Sequence, residues 1–122
     1  YNNSIHCWVA GFSFGAWIGM QLFMRRPEIT GFISVSPPAN MYDFSFLAPC
    51  PSSGMIINGA ADRIAPPAAT VELVEKLREQ RGITVTHNEM EGAGHFFEDP
   101  YMDEMLDTVT SYVKRRLTET TR

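Results

Sequence analysis

Four short, apolar, β-rich runs recur along this chain, with helical patterns between them, and that alternation restricts the fold more than any other feature. The runs are Ile5 to Ala10, Gly31 to Ser36, Met55 to Asn58 and Ile83 to Glu89. The first is nearly continuous in apolar residues, as expected of a parallel strand buried on both faces. Ala16 to Arg26 follows it with good helix formers, closed by Pro27 and showing little polar face, so a largely buried helix is expected. Pro66 and Pro67 suit the first turn of a second helix running to about Arg81, with Val71, Leu73, Val74 and Leu77 as its apolar stripe and Gly82 as its stop. A third spans about Asp99 to Thr118, where Met102, Met105, Leu106, Val109, Tyr112 and Val113 recur at helical spacing. Residues 37–53 hold four prolines and read as a long loop with a helical turn near Tyr42 to Phe46. The order β-α-β-loop-β-α-β-α implies an α/β fold: a parallel sheet of about four strands with flanking helices and right-handed crossovers. Sites in such sheets form at the carboxyl ends of the strands.

With 122 residues there is room for one domain, 1–122. A net charge of −4 argues against nucleic acid as a partner, which would need clustered Lys and Arg. The basic run Lys114-Arg115-Arg116 reads instead as a complement to the dipole at the end of the last helix. No stretch is long and apolar enough to span a bilayer, and no signal-peptide pattern opens the chain. Two cysteines are too few for a disulfide framework. Cys7 reads as a small core residue and Cys50 as part of a loop, so a reduced, cytoplasmic setting is expected. The chain opens on Tyr1 and enters a strand almost at once, which reads as a fragment or processed product of something longer.

Gly11-Phe12-Ser13-Phe14-Gly15 matches G-x-S-x-G between a strand and a helix. A sharp turn there lifts the Ser13 hydroxyl above the sheet edge in a strained backbone conformation. It needs small residues at 11 and 15, where neighbouring backbone is expected to come close. The turn also offers the Phe14 N–H to a developing oxyanion. A serine needs a base. His6 and His87 lie within strands, whereas His95 sits in the glycine-bearing loop Glu91 to Phe97, on the same sheet edge as Ser13. The base in turn needs an acid to hold its tautomer. Asp62 leaves the third strand at that edge; Asp43, Glu91, Glu98 and Asp99 are rivals without that placement. Of the aromatics nearby (Phe12, Phe14, Tyr42, Phe44, Phe46, Phe96 and Phe97), Phe12 and Phe96 are the candidates for substrate contact. No spacing of His, Cys or carboxylates calls for a metal, and no motif calls for a cofactor.

The phrases GFSFGAW, NGAADRIAPP and GAGHFF resemble the second half of the α/β-hydrolase fold, most closely dienelactone-hydrolase-like or esterase-like bacterial members. The resemblance implies that these are the last four strands of an eight-stranded sheet. It also implies that Ser13, Asp62 and His95 are nucleophile, acid and base of a serine hydrolase acting on a small-molecule ester or thioester. Other outcomes on this scaffold are an acyltransferase, a peptidase or a non-catalytic binding module. Nothing in the chain supplies that family's second oxyanion donor, and losing one donor typically costs about 10²–10³ in turnover. These 122 residues alone are therefore expected to be inactive or nearly so. Self-association through an exposed edge of the first strand is a further expectation.

Overall fold

A computed structural model describes residues 7–47, 50, 52–80 and 82–120, with only the backbone at 119 and 120. Four strands, β1 (Cys7–Phe12), β2 (Ile29–Val35), β3 (Gly54–Gly59) and β4 (Val85–Met90), pair in parallel in the order β1-β2-β3-β4. Three helices join and follow them: α1 (Phe14–Arg25), α2 (Pro67–Arg78) and α3 (Tyr101–Thr120). The alternation read from the sequence is the alternation observed.

Side chains alternate across a strand, so each strand feeds two cores. Phe32, Ile56 and Val85 point to one face, where they meet Met20 and Phe23 of α1 and Leu73, Val74 and Leu77 of α2. Ile33, Val35, Met55 and Ile57 point to the other, against Met105 and Tyr112 of α3. Helices on both faces are what lets β2 and β3 be apolar almost throughout, and both strands are nearly wholly buried.

The ends of the sheet depart from the sequence reading. β1 lies at the edge and is only half-buried, not enclosed on both faces. Its expected start, Ile5, lies outside the described residues, and the strand runs on through Gly11 and Phe12. The helix α1 buries Ala16, Met20 and Phe23 but leaves Phe14, Ile18 and Leu22 exposed, because only one side of it meets the sheet. Val71 of α2 and Met102 and Leu106 of α3 are also exposed, so the apolar stripes are narrower than their spacing implied. The helix α2 stops at Arg78, and its expected end, Arg81, lies outside the described residues. Gly82 adopts φ 86° in the turn beyond.

Three local differences have plain causes. The turn expected at Tyr42 to Phe46 falls at Ser45–Leu47 as a short 3₁₀ helix, where Asp43 accepts from the Ser45 N–H and hydroxyl. Cys50 sits in a loop as read, yet it is buried: its N–H bonds to Gln80 Oε1, and burial pushes its thiol pKa up. Arg116 does not end a helix, since α3 continues to Thr120. Its guanidinium lies 4.7 Å over the Trp8 ring and donates to the Tyr112 hydroxyl and to the Ser53 and Thr30 carbonyls, pinning α3 to the sheet. Among the described residues no helix is long and apolar enough to cross a membrane.

Phe32 is fully buried with its ring centroid 5.2 Å from that of Phe23. Phe32→Ala should destabilise the fold by about 3–5 kcal/mol, read as a lower urea midpoint. A change within about 0.5 kcal/mol would mean that the α1 side of the sheet is not packed as described.

Candidate active site

Ser13 stands between β1 and α1 with φ 56° and ψ −121°, a left-handed region that a non-glycine residue enters only under constraint. Two contacts hold it. Its N–H donates to the Val35 carbonyl at 2.8 Å, and its carbonyl accepts from the Ala16 N–H at 2.8 Å. A Cβ on Gly11 would lie 2.3 Å from the Gly15 carbonyl oxygen, so only glycine permits this turn. Gly15 differs from expectation: a Cβ there meets nothing within 4 Å among the described residues, so its smallness is not demanded by them.

The loops that carry Asp62 and His95 touch directly. A Cβ on Gly59, the last residue of β3, would fall 2.1 Å from the Ala93 carbonyl oxygen. That bare backbone lets the loop after β4 lie against the loop after β3, where the Ala61 N–H donates to the same carbonyl at 2.9 Å. His95 Nδ1 consequently meets Asp62 Oδ2 at 2.8 Å, and His95 Nε2 meets Ser13 Oγ at 2.7 Å. The partners fix the tautomer. A carboxylate accepts, so Nδ1 carries the proton, and Nε2 is left to accept from the Ser13 hydroxyl. The other Asp62 oxygen, Oδ1, accepts from the N–H groups of Ile64 at 2.9 Å and Ala65 at 2.8 Å. Three donors therefore converge on a carboxylate whose side chain is 0% exposed, the satisfaction that a buried charge demands.

The rivals lie elsewhere. His87 Nε2 donates to Asn58 Oδ1 at 2.6 Å, within a network that also joins Asn58 Nδ2 to Glu89 Oε1 at 3.1 Å. His6 lies outside the described residues. Asp43 is bonded to Ser45, while Glu91, Glu98 and Asp99 are exposed.

Phe12 and Phe96 frame His95, with ring centroids 5.6 Å and 4.9 Å from the imidazole, and both are exposed. Phe14, the first residue of α1, has its N–H among those that a helix leaves without an internal acceptor. Its ring packs against Trp17 and Tyr42, which also stack on each other. Phe44 and Phe97, weighed as pocket residues from the sequence, are buried in the two cores. Hollows of about 560 Å³ beside α2 and about 580 Å³ beside Phe96 are both lined without Ser13, Asp62 or His95. Among the described residues no three His, Cys, Asp or Glu side chains gather as metal ligands. Two supports escaped the sequence reading. The closeness demanded at Gly59 was hidden because any glycine after a strand reads as a turn. Ser36, whose hydroxyl donates to the His95 carbonyl at 2.8 Å, read only as a strand end.

Known proteins share this architecture. Over 93% of its length the chain is 60% identical to a candidate α/β hydrolase of unknown function from Agrobacterium tumefaciens, at a TM-score of 0.91. A serine hydrolase without a lid from Xanthomonas campestris matches 88% of the chain at 33% identity and a TM-score of 0.75. An uncharacterised protein of Rickettsia prowazekii is 50% identical over 93 residues, 73% of the chain. No family model matches. These likenesses relate the chain to the α/β-hydrolase superfamily, and its four-stranded parallel sheet is part of that fold. The chain spans 52% and 46% of the two solved proteins and 39% of the Rickettsia protein.

Two outcomes follow from this geometry. Gly59→Ala should destabilise the fold by about 1–3 kcal/mol by driving the two loops apart, and an unchanged unfolding midpoint would contradict the close approach. Burial holds the pKa of His87 below the ordinary 6.5, outweighing the attraction of Glu89, with Arg78 adding repulsion. The unfolded chain takes up that proton at higher pH than the folded one. The resulting stability is complete above pH 6.5 and drains away as pH falls from there through the lowered folded value. His87→Gln should therefore flatten the fall in urea midpoint between about pH 7.5 and about pH 5.5. An identical slope in both proteins would remove His87 as its cause.

Proposed function

We propose that this chain is the part of a serine hydrolase that carries its nucleophile, base and acid, with the whole protein cleaving a small-molecule ester or thioester. The observation that carries the reading is the unbroken hydrogen-bonded series Ser13–His95–Asp62, assembled from three separate strand ends. In the first half-reaction Ser13 Oγ attacks the carbonyl carbon while His95 Nε2 takes the hydroxyl proton. The proton then passes to the departing alkoxide or thiolate, leaving an acyl-enzyme. In the second half, water attacks that ester, His95 accepts its proton and returns it to Ser13. Asp62 holds the imidazole in the required tautomer and steadies the imidazolium. The Phe14 N–H holds part of the oxyanion charge, with a second donor coming from outside this chain. Phe12 and Phe96 give the substrate an apolar surface beside the base.

On this reading the 122 residues by themselves turn over little or no ester, while the complete protein is active. Among the described residues the outer edge of β1 pairs with no strand, which offers these 122 residues by themselves a route to self-association. We place the protein in the cytoplasm, where the free thiols of Cys7 and Cys50 stay reduced.

A fluorophosphonate tests the reading in the full-length gene product. It should modify Ser13, and the Ser13→Ala variant should take no label. Modification at another residue, or none in the unsubstituted protein, would favour a binding module on the same fold. Rapid labelling combined with transfer of the acyl group to an amine or alcohol in place of water would make the protein an acyltransferase.

A further inference from the structure

We propose that Ser36 is a positioning residue for His95, an inference that rests on the serine-hydrolase reading above. Ser36 is fully buried just past the end of β2, where three parts of the site meet. The Val35 carbonyl before it accepts the Ser13 N–H at 2.8 Å. The N–H of Ser36 donates to the Ile57 carbonyl of β3 at 2.7 Å. Its hydroxyl donates to the His95 carbonyl at 2.8 Å. Two adjacent residues thus tie the nucleophile turn, the central strand and the base loop to one another.

The backbone of Ser36 makes the assignment sharper. Its φ is 52°, in the left-handed region, and Pro37 follows, which biases the preceding residue toward extended conformations. Glycine meets such a backbone with less strain but brings no hydroxyl. What serine adds at this point is the donor aimed at His95. The neighbouring anchors of the base loop, Ala93 to Ala61 and Phe97 to Gly94, are backbone bonds on either side of His95. The Ser36 hydroxyl grips His95 itself. Without it a buried carbonyl loses its donor, and the imidazole is freed to drift from the line between Ser13 and Asp62.

The test is the kinetics of fluorophosphonate labelling in the full-length gene product carrying Ser36→Ala or Ser36→Gly. Both remove the hydroxyl, and they place opposite demands on the left-handed backbone. The maximal labelling rate should fall about tenfold or more in both, with the concentration for half-maximal rate unchanged. A folded variant that labels at the full rate overturns the proposal, as does one in which only the half-maximal concentration moves. If neither variant folds, the near-isosteric Ser36→Cys decides by the same two constants. Failure of all three to fold assigns Ser36 to stability and overturns the positioning role. An unsubstituted protein that takes no label at Ser13 instead sinks the hydrolase reading, so the two failures are told apart.

Discussion

The fully buried carboxylate of Asp62 is the constraint on which the rest of this site depends. A charge withdrawn from water costs several kcal/mol unless donors replace the solvent, and here the Ile64 and Ala65 N–H groups and His95 Nδ1 replace it. Two of these donors belong to the loop after β3, so the carboxylate organises its own strand end. The third comes from the loop after β4, and it can arrive only because Gly59 carries no side chain. Once Asp62 has claimed Nδ1, the other imidazole nitrogen has one role left, to accept. Ser13 is where it points.

Backbone strain gathers at the same edge. The non-glycine residues with positive φ among those described are Ser13, Ser36 and Phe97, and all three lie in the turns that leave β1, β2 and β4. Each costs of order 1–3 kcal/mol and persists only where the surroundings insist on it. The insistence is identifiable: the Gly11–Gly15 approach at Ser13, the Ile57 bond at Ser36 and the complete burial of Phe97. The two cores on either side of β2 and β3 supply the rigidity that sustains this strain.

The parallel sheet and the convergence of Ser13, Asp62 and His95 were legible in the sequence because each carries a local signal. Short apolar runs alternate with helical periods, and the three residues each leave a strand at the carboxyl edge. Ser36 was not legible, since a serine closing the strand after Phe32-Ile33-Ser34-Val35 looks the same whether or not its hydroxyl meets anything. Burial was overstated for Ile18, Leu22 and Val71, because periodicity tells which side of a helix is apolar and nothing of whether another element covers it. The role of Arg116 was missed for a similar reason. Its charge suggested a helix end, whereas its partners, Trp8, Thr30 and Ser53, are distant along the chain.

One proton, that on His95 Nδ1, joins the two halves of this site. Proton NMR of the protein in water should show a single resonance far downfield of the amide envelope, from an imidazole N–H held by a buried carboxylate, and His95→Gln should abolish it. A spectrum with no such resonance under slow-exchange conditions, or one that survives the substitution, would contradict the joining of Asp62, His95 and Ser13.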